Sequence, residues 1–188
     1  KERQDENKVL DRQKKVFVVA GLMTEGADWS ADKIKVTFDD NIQAKVVDLK
    51  TGDYNQSVDV ATFDQQKASR DPATSAVAPD NRAKVGRLPH LAMVYHVMEG
   101  GNVARLIIPV EGKGLWSTLY GFLALEKDVD TITGITFYQH GETPGLGGEV
   151  DNPKWKALWK GRKAFDADQK PTIEVLKGQA GSVQEAPH

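Results

Sequence analysis

The first eight residues of the chain are all polar, and the pattern changes at Val9. Val9 and Val16, and Leu10 and Phe17, are seven apart, which places them on one helix face. The spacing predicts an N-terminal helix that Gly21 stops, because glycine readily takes the left-handed conformation that ends helices. Trp29, Ile34, Val36 and Phe38 form a small apolar set before Asp39 and Asp40. Residues 44–49 then alternate and read as a short strand closed by a turn at Thr51-Gly52-Asp53. Residues 55–87 are poor in large apolar side chains and read as a surface insertion with one short helix.

Leu91 to Met98 is apolar on both faces, as an interior strand should be. The turn Glu99-Gly100-Gly101-Asn102 leads into a paired strand over Val103–Val110. Pro109 is expected at its end, since proline cannot donate to a ladder. Leu119–Glu126 and Thr131–Tyr138 read as a second β pair joined at Lys127–Asp130. Asp151-Asn152-Pro153 starts a helix with Trp155 and Trp159 on one face and Gly161 at its end. Thr172–Leu176 reads as a last strand, and Lys177–His188 as a polar tail. This order of elements predicts an α+β fold, a mostly antiparallel sheet with flanking helices.

Composition removes several function classes. The 188 residues suit one domain, and the net charge of −2 offers no basic footprint for nucleic acid. The absence of cysteine excludes disulfides, thiolate metal sites and cysteine nucleophiles. His90, His96 and His140 show no metal-ligand spacing, and no Gly-x-Ser-x-Gly elbow supports serine hydrolysis. His96, within an apolar strand, is expected to be a hydrogen-bonded core or interface histidine. His140 and Glu142 form a candidate acid–base pair two residues apart.

Two glycine-rich loops hold the candidate chemistry, Glu111–Ser117 between two strands and Gly141–Glu149 between a strand and a helix. Glycines let backbone approach a ligand closely and free N–H groups to point at it. Trp116 and Leu146 can hold a planar ring by stacking and apolar contact, while Ser117, Glu142 and Thr143 offer polar atoms at a pocket edge. Two plain tight turns would give the same pattern. Neither loop carries Gly-x-Gly-x-x-Gly or a P-loop lysine, so a mononucleotide suits them better than a dinucleotide.

Gly114-Leu115-Trp116-Ser117 together with Glu142-Thr143-Pro144-Gly145-Leu146-Gly147 resembles the FMN-binding domain of the NqrC family, a subunit of the sodium-translocating NADH:quinone oxidoreductase. The resemblance runs through most of the chain, including the Asn152–Gly161 helix and the approach to Lys177-Gly178. It implies an oxidoreductase subunit that transfers single electrons through FMN, with no catalytic acid or base. It implies cofactor contacts from Gly114, Leu115, Trp116, Ser117, Glu142, Thr143, Leu146 and Gly147, with Lys177 on the phosphate side.

The family esterifies a threonine of a Ser/Thr-Gly-Ala-Thr motif to the flavin phosphate. That motif is not among these residues, and Pro72-Ala73-Thr74-Ser75 lacks its glycine. The resemblance therefore implies residues 1–20 as a helix following a removed membrane segment, and 21–188 as an FMN-binding domain without its attachment segment. Free FMN is expected to bind weakly or not at all. The implied partners are the other subunits of the membrane reductase and a flavin transferase, on the periplasmic side of the bacterial inner membrane. Two other readings stay open: the G-type subunit of an ion-translocating ferredoxin:NAD oxidoreductase, and a non-redox extracytoplasmic module for a small ligand.

Overall fold

The computed structural model describes residues 2–175, 178 and 180–188, the side chains of 2–5 excepted. Helix α1 spans Glu2–Ala20 and ends as expected. Gly21 has φ +75°, the Leu22 N–H reaches the Phe17 carbonyl at 2.9 Å, and the Gly21 N–H reaches Val18 at 3.1 Å. The Arg105 guanidinium also donates to the Ala20 carbonyl at this negative helix end and pairs with Glu99 at 2.8 Å. Val16, Phe17, Val19 and Ala20 are buried, so this helix packs into one core with Ile34, Ile42, Val97, Ile107 and Phe122. Val9 departs from the predicted face and is exposed.

Helix α2, Ala31–Asn41, occupies the stretch of Ile34, Val36 and Phe38. The Ser30 side chain caps it by accepting the Lys33 N–H at 3.3 Å. Ile34 and Phe38, four apart, turn inward toward Phe17, and Val36 is left in solvent.

The main sheet has the order β2-β1-β5-β6-β7-β8 and is antiparallel throughout. Its strands are β1 (Ile42–Asp48), β2 (Tyr54–Asn55), β5 (Leu91–Glu99), β6 (Asn102–Lys113), β7 (Thr118–Glu126) and β8 (Ile132–Gln139). Pro109 lies inside β6, not at its end. The recorded ladder to β5 runs only from Glu99↔Asn102 to Tyr95↔Ile107, so no bond is required of Pro109 on that side. The Met93 N–H on β5 is satisfied by Gln65 Oε1 instead, at 2.8 Å. His96 is buried and bonds the Tyr54 hydroxyl at 3.0 Å, the core role expected of it.

The insertion is more ordered than its composition suggests. It forms helix α3 (Gln65–Arg70) and a small hairpin of β3 (Ser75–Val77) and β4 (Arg87–Pro89). On the sheet face opposite α1, Leu123, Leu125, Ile132 and Ile135 pack with Trp155, Trp159 and Ala164. Helix α4 spans only Pro153–Ala157, capped by Asn152, and Gly161 follows at φ +84°. Trp155 and Trp159 meet edge to face with centroids 5.5 Å apart.

Two expectations near the C-terminus are corrected. Residues 172–175 form no strand, because the Thr172 and Ile173 N–H groups both converge on the Ala164 carbonyl; Leu176 lies outside the described residues. The segment 180–188 is not a free tail. Buried Arg162 donates to the carbonyls of Leu158 (2.6 Å), Gly181 (2.8 Å) and Ala186, and the Lys163 N–H bonds Pro187. Hydrogen bonds to a charged group contribute more than neutral ones, so Arg162→Met should lower stability by about 3 kcal/mol. Chemical denaturation reads this directly, and faster exchange of the Lys163 amide should accompany it.

Candidate functional site

Strands β6 and β7 end in a four-residue loop, 114–117, closed by the Gly114 N–H on the Ser117 carbonyl at 2.8 Å. Strand β8 delivers a second loop, 140–146, which a 3₁₀ turn at Gly147–Asp151 follows. Thr143-Pro144-Gly145-Leu146 is a type II turn by its features. Proline is second, Gly145 is third with φ +76°, and Leu146 N–H bonds the Thr143 carbonyl at 3.1 Å.

The Glu142 carboxylate joins the two loops. It accepts the N–H groups of Leu115 (3.1 Å), Trp116 (3.1 Å) and Ser117 (2.8 Å), and the Ser117 hydroxyl at 2.7 Å. Ser117 Oγ in turn accepts the Gly141 N–H at 2.9 Å. Glu142 is 7% exposed, so its carboxylate is a staple beneath the loops more than a free pocket edge. Gly114 and Gly147 make room for it. A Cβ on Gly114 would lie 2.6 Å from Glu142 Oε1, and one on Gly147 would lie 3.0 Å from Glu142 Cβ and closer still to Oε2.

These donors, the Ser117 hydroxyl first, hold the Glu142 carboxyl below its ordinary range. The charged form is therefore bound more strongly in the folded state than in the unfolded chain. Its stabilisation is complete above the unfolded value near ~4.3 and is lost as pH falls through the lower folded value. The melting-temperature difference between wild type and Glu142→Gln should be constant near neutrality and shrink below about pH 4.5. A difference that does not change with pH would remove the charge from this account.

His140 makes no acid–base pair with the Glu142 carboxyl. Its Nε2 bonds Asp151 at 2.7 Å, and its Nδ1 accepts the Glu142 N–H at 3.2 Å, so the ring ties the start of the second loop to the end of the 3₁₀ turn that follows it.

Above this locked base, Leu115, Trp116 and Leu146 are 69%, 70% and 66% exposed. Three large apolar side chains standing in solvent on adjoining loops are an exposed patch of the kind that marks a binding surface. Thr143 is exposed on the same loop. Among the expected contact residues, Gly114, Leu115, Trp116, Ser117, Glu142, Thr143, Leu146 and Gly147 fall on or directly beside these two loops. Lys177 lies outside the described residues. What the sequence does not reveal is the staple itself, a carboxylate whose donors are 25 to 27 residues away along the chain.

The arrangement suits a planar ring laid across apolar side chains, with its body in solvent rather than engulfed. The family model of the FMN-binding domain matches residues 114–184, beginning at the first residue of the β6–β7 loop. Curated relatives narrow it further. The NqrC protein of the Na(+)-translocating NADH-quinone reductase of Pseudomonas aeruginosa is 48% identical over 177 residues, covering 93% of this chain and 67% of the relative. Its counterpart in Vibrio campbellii is 44% identical over 186 residues, covering 96% and 69%. The crystal structure of Shewanella oneidensis NqrC superposes with a TM-score of 0.82 at 30% identity, covering 95% of this chain and 80% of that one. The chain belongs to the NqrC family of Na(+)-translocating NADH-quinone reductase subunits.

Proposed function

We propose that the chain is an electron-transfer subunit of a sodium-pumping NADH:quinone reductase, with FMN seated on the 114–117 and 140–146 loops. The observation that carries the seat is the exposed trio of Leu115, Trp116 and Leu146 above the Glu142 staple. When bound, FMN supplies the one-electron redox chemistry, and the protein supplies position and electrostatics. Trp116 and Leu146 would hold the ring, Leu115 would add apolar surface beside them, and Thr143 would offer a polar atom to its edge. Ser117 and Glu142 hold both loops in place, while Gly114 and Gly147 leave the space that arrangement requires. Lys177 is assigned to the phosphate side, where a point charge offsets negative charge. No catalytic acid or base is needed.

In this reading a threonine hydroxyl would hold FMN through a phosphoester bond, with a flavin transferase making the attachment. A covalent tether explains how a seat so exposed can retain a cofactor. Other subunits of the reductase donate and accept the electron. The domain works on the periplasmic side of the bacterial inner membrane, held there by a membrane helix ahead of α1. No helix among the described residues is itself long and apolar enough to cross a membrane.

Mass spectrometry of the full-length protein, co-expressed with its flavin transferase, tests the reading. The expected result is a gain of FMN less one water. An unmodified mass would favour a non-redox ligand module. For residues 1–188 alone, fluorescence titration with free FMN should show only weak binding, and Trp116→Ala should abolish what there is. Tight stoichiometric binding would exclude a seat that depends on a tether.

A further inference from the structure

A second concave site lies where the insertion meets the β6–β7 hairpin. It is an open pocket of about 320 Å³. Four cationic side chains line it: Arg70 at the end of α3, Lys84 and Arg87 around the start of β4, and Lys113 at the end of β6. One carboxylate, Glu111, joins them, with Tyr120 beside it. Four cations against one acid at a single opening contrasts with a chain whose net charge is −2.

The lining is held in place before any ligand arrives. The Arg87 guanidinium is oriented by Ser75, Nε on the hydroxyl at 2.8 Å and Nη2 on the carbonyl at 2.9 Å. Lys84 has a left-handed backbone, φ +54°, in a loop tied by the Asn81 side chain to Pro79 and Val85. The Lys113 N–H bonds the Ala83 carbonyl at 2.8 Å and fastens that loop to β6. Arg70 lies against the Tyr120 hydroxyl and near Glu111. Burial pushes the Glu111 carboxyl up from its usual value, and the nearby Arg70 opposes that shift.

We infer that this pocket binds a phosphomonoester with a small organic body. Arg70 and the Nη1 end of Arg87, beyond the donors that Ser75 takes, offer N–H groups to phosphate oxygens, and two ammonium groups supply point charge. The volume exceeds what inorganic phosphate fills, and Glu111 is placed to accept a hydroxyl or amino group of the organic part. The site is separate from the flavin seat: it touches Gly112, Lys113 and Thr118 but none of the residues from 114 to 117. It stands or falls independently of the flavin assignment.

The test uses the chain itself, with glycerol 3-phosphate as probe and amide resonances as readout. The expected result is saturable shifts at Lys84–Arg87 and Gly112-Lys113, with affinity reduced about tenfold in Arg70→Met and again in Lys84→Asn. Asparagine tolerates the left-handed conformation at position 84, so that variant should fold. A second arm uses vesicles containing phosphatidic acid. Binding of the soluble ester assigns the phosphate to a free metabolite. Binding of the vesicles alone, lost in Arg70→Met, assigns it to a lipid headgroup. Binding of neither overturns the proposal, as does an equal response to sodium chloride at matched ionic strength.

Discussion

Phe17→Ala should lower the stability of the domain by about 4 kcal/mol, the range for a fully buried phenylalanine. Phe17 is completely buried and packs its ring against Trp29 and Phe38, each with centroids 5.8 Å away. Truncation would leave a cavity bounded by α1, α2 and the sheet. For a domain of this length the melting temperature should fall by about 10 °C or more. Val9→Ala on the same helix is the control: Val9 is 54% exposed and its loss should change stability by less than about 0.5 kcal/mol. Equal effects at the two positions would mean that α1 is not part of the core.

Gly121→Ala should be nearly as damaging, at about 3 kcal/mol, and should also disturb the site. A Cβ at 121 would collide with the main-chain carbonyl oxygen of Thr136 and lie 2.8 Å from Phe137 Cδ1. Backbone cannot rotate aside as a side-chain tip can, so β7 and β8 must separate. The ladder already shifts register between Tyr120 and Gly121. Such irregularities re-aim the chain next to them. Here that chain is the pair of strand ends carrying the 114–117 and 140–146 loops. Hydrogen exchange should therefore speed up at the amides of Leu115, Trp116 and Ser117 as well as along β8. Destabilisation with those three amides unchanged would show that the loops do not depend on this register.

The central strands are legible because their signals are local. β5 to β8 combine apolar runs with polar or glycine turns, and the structure follows them closely. Helix α2 is hidden by Ile34-Lys35-Val36-Thr37-Phe38, which alternates like a strand. The Ser30 cap and the four-residue spacing of Ile34 and Phe38 decide it, and Val36 is left in solvent. The C-terminal segment defeats local reading for another reason. Its composition has little apolar surface to bury, and what orders it is one guanidinium collecting carbonyls from 158, 181 and 186.

At the site, the residue types and the glycines single out the two loops that Glu142 joins. The resemblance to a flavin domain is carried by their side chains and order, and the relatives bear it out. That the 114–117 loop closes on Glu142 depends on contacts across more than 20 residues, and no local pattern encodes that.

The Glu142 staple has a thermodynamic consequence for docking. Four hydrogen bonds set the conformations of both loops during folding, so their backbone entropy is already lost when a ligand or partner arrives. Ordering of main chain is a large part of what weakens association at mobile loops. On this surface the remaining cost falls mainly on the rotamers of Leu115, Trp116 and Leu146, three side chains with few torsions. A ring laid across these side chains would thus meet a surface already set, and its orientation would follow from shape and not from closure of the loops.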